Sequence, residues 1–169
     1  MARIILLWIT LTYSGLGVAQ VACLKQEAKK LIGTREGPIN NRGPRVDSII
    51  RYAGGTPGQP WCSYAMIYIF KKCGSVFQGV SGAAKSWARK EKAVVLMPVR
   101  ATDVFTVYNK ALGRIGHVGL VYQVYPEERF FQSFEGNVNA RGDRESHRSM
   151  AGCLLREYAV ANGFFRWAK

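Results

Sequence analysis

The chain reads as an α+β domain in which N-terminal helices pack on an antiparallel β-sheet. Apolar residues recur with helical spacing through the first half, short β-branched and aromatic runs fill the part after about Val94, and the two patterns do not alternate. Alternation would indicate βαβ units and a parallel sheet, whereas helices followed by strands indicate a helical layer on an antiparallel one. With 169 residues, 48% hydrophobic and 21% charged, the chain has the size and composition of one globular domain with a single core. No internal repeat, linker or low-complexity segment divides it.

The elements follow in order. Arg3 precedes an apolar run over 4–7 with a softer tail to Val18. This stretch is short for a bilayer span and has a basic residue ahead of it, so residues 1–19 read as a signal peptide. Gly17 and Ala19 are the small residues cleavage requires, which leaves 20–169 as the mature domain, without a transmembrane helix. A membrane anchor is the competing reading. Cys23, after Gln20-Val21-Ala22, partly resembles a lipoprotein cleavage site but lacks the aliphatic residue three positions earlier, so lipid anchoring at Cys23 is a second alternative.

Over 23–32, Leu24, Ala28, Leu31 and Ile32 predict a helix that Gly33 ends. A polar loop occupies 35–44, Val46, Ile49, Ile50 and Ala53 predict a second helix, and the glycine-rich residues 54–58 turn the chain. A third helix should begin at about Pro60, because proline suits the first helical turn. Its apolar stripe is Cys62, Met66, Ile69, Phe70 and Cys73, with Gly74 as the stop, and 83–87 adds one short helix. Strands are expected over 94–96, 103–108, 116–125, 130–135, 153–158 and 164–167.

Net charge is +13, and loss of 1–19 would remove only Arg3 and leave +12. Such a surface attracts polyanions, and export redirects the usual inference of nucleic acid toward anionic polymers of the cell envelope. Lys and Arg are scattered rather than clustered, so a well-solvated cationic surface without a dedicated partner is the plainer reading.

Cys62 carries the chemistry. At a helix N-terminus the dipole and the unpaired N–H groups favour thiolate, which is the attacking species. The competing reading is a buried small hydrophobe. Of the two histidines, His117 opens the run His117-Val118-Gly119-Leu120-Val121-Tyr122-Gln123-Val124, whereas His147 sits among Arg144, Glu145 and Arg148 as a solvated loop residue. Strand periodicity places Val118, Leu120, Tyr122 and Val124 on one face and His117, Gly119 and Val121 on the other. The turn around Pro126 folds this strand back on 130–137. An odd-numbered loop would align His117 with Ser133, Glu135 and Asn137, and an even one would break that alignment. Glu135 and Asn137 are otherwise polar residues at a strand end. Export allows disulfides, and with Cys62 free the other three cysteines cannot all pair among themselves; Cys73 with Cys153 is one open pairing.

Pro60-Trp61-Cys62, Asp103-Val104-Phe105, Gly116-His117-Val118-Gly119 and Glu135-Gly136-Asn137, in this order, make the chain resemble the CHAP domain family. These are cysteine, histidine-dependent amidohydrolases and peptidases, papain-like hydrolases of bacterial cell walls. Gly43-Pro44-Arg45-Val46 and Gly163-Phe164-Phe165 are weaker echoes, and the resemblance covers nearly all of 20–169. It implies a papain-like fold, Cys62 as nucleophile, His117 as general base and then acid, Glu135 orienting the imidazole, and Asn137 assisting on that side. It implies peptidoglycan as substrate and an exported, monomeric enzyme. Ser63-Tyr64 departs from the smaller residues common after the cysteine, and Thr102 stands where glycine is frequent. Some relatives bind calcium before the cysteine; residues 54–61 contain no acid here, so neither metal nor cofactor is expected. Two other classes stay open: a papain-like thiol hydrolase of proteins or small amides, and a non-catalytic binder of polyanions or cell wall.

Overall fold

The computed structural model describes residues 2–75, 78–94, 98–139 and 149–168, with side chains from residue 17 onward. Helix α1 runs without a break over Ala2–Leu31, so the helix expected over 23–32 begins well ahead of Cys23. Leu24, Ala28 and Leu31 are fully buried as their spacing requires, but Ile32 lies beyond the helix and is exposed. Among the described residues no helix is long and apolar enough to cross a membrane. Cys23 is disulfide-bonded to Cys73, which leaves Cys62 and Cys153 outside any disulfide. This corrects the open Cys73–Cys153 pairing.

Helix α2, Pro44–Ala53, starts on its proline and ends in a Schellman motif: Gly55 N–H donates to Ile50 O (2.8 Å) and Gly54 N–H to Arg51 O (3.0 Å). Helix α3 spans Cys62–Lys72, with Trp61 rather than a residue before Pro60 as its N-cap. Its start is two residues later than expected, which makes Cys62 the first helical residue. Every residue from Cys62 to Phe70 is buried, so the single stripe understates its burial. The far side is covered by α2 and by the loop leading into a 3-10 turn, Ala84–Trp87, where Trp87 Nε1 donates to Ser63 Oγ (2.8 Å) and Ser63 to Ser81 O (2.6 Å).

Five strands, β1 Val104–Asn109, β2 Arg114–Val124, β3 Phe130–Val138, β4 Met150–Glu157 and β5 Gly163–Phe165, form one antiparallel sheet in the order β4-β3-β2-β1-β5. The fold is therefore α+β, with helices preceding the sheet. One sheet face packs Val118, Leu120 and Phe134 against α1, α2 and α3; the other gathers Phe105, Val121 and Phe131 with Tyr158 and Phe164. Of the expected strand over 94–96, only its start is described: Val94 N donates to Phe164 O (2.8 Å), and 95–97 lie outside the described residues.

The β2–β3 hairpin reaches the expected alignment by another route. Beside the turn the register is even, with Val124 opposite Phe131 and Gln123 opposite Gln132, which by itself would turn Glu135 away from His117. A bulge between Val121 and Gln123 shifts it by one, giving Val121 opposite Ser133 and Leu120 opposite Phe134. The same bulge moves Val124 to the face of Val121, away from Val118 and Leu120, against simple alternation.

Candidate active site

Cys62 is 2% exposed at the first position of α3. The helix approaches β3 closely because residue 136 is glycine: a Cβ there would fall 2.7 Å from Ala65 Cβ and 3.0 Å from the Trp61 ring. Trp61 is pinned from several sides. Its Nε1 donates to Glu36 Oε1 (2.8 Å), and the other Glu36 oxygen accepts from Ser149 N (3.2 Å). Asn137, at φ 60°, completes the anchor, with Nδ2 donating to Glu36 Oε1 (3.1 Å) and Oδ1 accepting from Trp61 N (3.2 Å). Two separate segments thus hold the residue before the cysteine, and a third, through Ser149, holds Glu36.

His117 projects from β2 and is 5% exposed. Its Nε2 lies 2.6 Å from Glu135 Oε2, and the Cys62 thiol is near enough to act on the ring's ionisation. Nδ1 is buried and makes no hydrogen bond among the described residues, which leaves it the ring atom available to a thiol or a substrate. Glu135 is fully buried and saturated. Arg156 grips it with both arms, Nε to Oε1 and Nη2 to Oε2, each 2.8 Å, and Ser133 Oγ donates to Oε1 (2.5 Å). Gly119, between the two strands that flank it, is what gives Glu135 room: a Cβ there would meet Glu135 Cγ at 2.7 Å and Phe105 Cε1 at 2.6 Å.

The electrostatics follow from these contacts. Burial opposes charge on His117, but hydrogen bonds to Cys62 and Glu135, with the charge of both, outweigh it and raise the imidazole from 6.5 to about 9. Burial likewise disfavours the Glu135 carboxylate, and the Arg156 and His117 hydrogen bonds override it, holding the group down to about 2. The ring is thereby held toward its cationic form, with a carboxylate on one side and the Cys62 thiol nearby. Beside Cys62 opens a cleft of about 380 Å³, bordered by Gln59, Tyr64, Gly82 and Arg114. A larger cavity of about 530 Å³ near Arg89 and Trp167 is lined by none of Cys62, His117 and Glu135, so size alone does not locate the candidate site.

Comparison with protein-family models and with curated proteins gives no match. The argument for the site therefore rests on its own geometry. That geometry joins Cys62, His117 and Glu135 as the sequence suggested. Asn137 is a correction: its amide serves Trp61 and Glu36, so it acts on the nucleophile's side of the site instead of on the imidazole. His147 lies outside the described residues.

Arg156 and Glu36 were missed. Arg156 sits opposite Phe131, on the β4 face that also carries Gly152, the partner of Glu135. Its length carries it past Leu154 to the carboxylate, a relation visible only once β4 is in register. Glu36 is placed by the segment after α1, which runs along the start of β4 through the bonds Gly33 N to Ala151 O and Glu36 N to Ser149 O, both 2.9 Å. An acid in a polar loop carries no signal of that kind.

Proposed function

We propose that this chain is an exported cysteine amidohydrolase or peptidase that hydrolyses amide bonds of bacterial peptidoglycan. One observation carries the chemistry: a buried imidazole whose ionisation the Cys62 thiol influences and whose Nε2 lies 2.6 Å from a carboxylate that Arg156 fixes. A structural histidine has little need of a nucleophile at a helix start and a doubly gripped carboxylate. The substrate class is supported by the resemblance to CHAP domains, the apolar leader and the net charge of +13, which suits an anionic wall.

In the reaction the Cys62 thiolate attacks the amide carbonyl carbon, forming a tetrahedral oxyanion next to the first turn of α3. The Cys62 backbone N–H is one donor to that oxygen, and loss of such a donor typically costs about 10²–10³ in rate. The His117 imidazolium gives its proton to the leaving nitrogen as the C–N bond breaks, leaving a thioacyl-enzyme. The now neutral ring then takes a proton from water, whose oxygen attacks the thioester. The acid product departs, and the thiolate–imidazolium pair is restored. Glu135 keeps the ring oriented and its charge favourable throughout, with Arg156 and Ser133 preventing its rotation.

The test is digestion of purified peptidoglycan of several wall types by the protein and by Cys62→Ala, with released fragments identified by mass spectrometry. New fragments from the unaltered protein alone are expected, and their exposed ends identify the bond. Rapid alkylation of Cys62 with no fragments from any wall, but with cleavage of casein, would move the assignment to a general thiol peptidase.

A further inference from the structure

We propose that Arg114 makes the Cys62 cleft selective for amide substrates bearing a free carboxylate beside the scissile bond, an inference that rests on reading the cleft as a hydrolase site. Arg114 begins β2, three residues before His117, and borders the cleft that Cys62 opens into. Its guanidinium has no hydrogen bond or ion pair among the described residues. Arg42, Arg89, Arg156 and Arg166 each hold a carboxylate of this chain, so Arg114 differs from them in having its charge available. Among the described residues no Asp or Glu lines the cleft to neutralise it.

A second lining residue, Gln59, adds donors of the same kind. Gln59 Oε1 accepts from Tyr64 Oη (2.6 Å) and from Thr56 N (2.9 Å), which fixes the amide's orientation and leaves its Nε2 donors for the cleft. A guanidinium and an amide N–H₂ in one lining that holds no carboxylate among the described residues favour a carboxylate over a neutral carboxamide.

Tyr64 limits how far that carboxylate can lie from the reacting carbon. Its ring fills the space left by two glycines, a Cβ at Gly82 or at Gly55 falling 2.3 or 2.4 Å from its Cζ. The ring walls the cleft off from a neighbouring cavity of about 500 Å³ that it also lines. The cleft is thereby short, and the recognised group must be close to the bond that is cut. Among wall peptides, the class that fits is a stem whose α-carboxylate next to the scissile amide is free rather than amidated.

The experiment uses two synthetic tetrapeptides, L-Ala-γ-D-Glu-L-Lys-D-Ala and its counterpart with D-isoglutamine. Each is turned over by the protein, Arg114→Ala and Arg114→Lys, and titrated calorimetrically into Cys62→Ala. The acid form should have a kcat/KM roughly tenfold above the amide form, expressed in KM, since a charge-assisted bond at an exposed arginine is worth about that much. Arg114→Ala should abolish the preference and Arg114→Lys should keep part of it. Equal handling of both peptides by the unaltered protein, or an undiminished preference in Arg114→Ala, overturns the inference while the hydrolase reading stands. If neither peptide is cut, binding decides: tighter binding of the acid form by Cys62→Ala supports the inference, and equal or absent binding overturns it.

Discussion

Replacing Arg156 with methionine should destabilise the protein and loosen the imidazole together, because one guanidinium holds the carboxylate that holds the ring. Glu135 is fully buried, and Arg156 supplies two of its charge-assisted bonds at 2.8 Å. Removing one partner of such a pair strands a buried charge, typically at a cost of about 3–5 kcal/mol. The Arg156 side chain is 16% exposed, so water can partly take its place and the lower end, about 3 kcal/mol, is the working figure. The depressed carboxyl gives a similar size: lowering from 4.5 to about 2 corresponds to roughly 3 kcal/mol, shared with His117. The sign follows from linkage. A carboxyl depressed on folding adds stability that is complete above its unfolded value near 4.5 and is lost as pH falls toward 2. Arg156→Met should therefore also raise the pH at which acid unfolds the protein. Urea denaturation at pH 7 and at a series of lower pH values measures both. Adding Glu135→Gln, which removes the stranded charge, should recover part of the loss, with a coupling of about 1–2 kcal/mol in the double-mutant cycle. A change under 0.5 kcal/mol in Arg156→Met, or strict additivity with Glu135→Gln, would refute the claim that this pair is what fixes Glu135.

Other consequences can be checked alongside. Because the folded His117 is raised from 6.5 to about 9, its stabilising contribution is complete below about 6.5 and disappears as pH rises through about 9; a stability profile flat across that window in the unaltered protein, measured against His117→Ala, would count against the charged ring. Iodoacetamide should alkylate Cys62 rapidly well below pH 8, and in His117→Ala the rate should climb only toward the ordinary thiol range near about 8.5; identical pH profiles would detach the histidine from the cysteine. Gly119→Ala places a methyl 2.6 Å from Phe105 and 2.7 Å from Glu135, so overpacking should cost about 1–3 kcal/mol and lower kcat, whereas a variant with normal stability and rate would show the gap to be unnecessary. Reducing the Cys23–Cys73 disulfide, which closes a separation of 50 residues, should cost about 2–4 kcal/mol; an unchanged melting temperature under reductant would mean that α1 is not tied to α3 in solution.

Local chemistry made much of this architecture legible in the sequence. Helical spacing in 44–53 and 62–73 and the β-branched runs after residue 94 follow from short-range sterics and burial, so α2, α3 and all five strands lie within a few residues of their expected positions. The proline before Cys62 and the scarcity of histidine were enough to single out Cys62 and His117, because a thiolate needs a helix start or a base and few positions could supply either. Glu135 was reachable in principle, since strand alternation couples it to His117 once a register is assumed.

What the tertiary structure alone decided are the relations that cross the chain. The alignment of Glu135 with His117 depends on a bulge near Tyr122, and a bulge leaves no mark in a pattern of apolar and polar residues. Arg156 reaches Glu135 only because β4 lies beside β3 in a particular register, and Glu36 meets Trp61 and Asn137 only because the segment after α1 runs along β4. The pairing of Cys23 with Cys73 needs the end of α3 to lie against α1. Residues 50 or 100 positions apart have no shared periodicity by which a sequence could relate them. Their proximity follows from the packing of whole elements, and Cys62, His117 and Glu135 were legible because each was announced by its own neighbours while their supports were not.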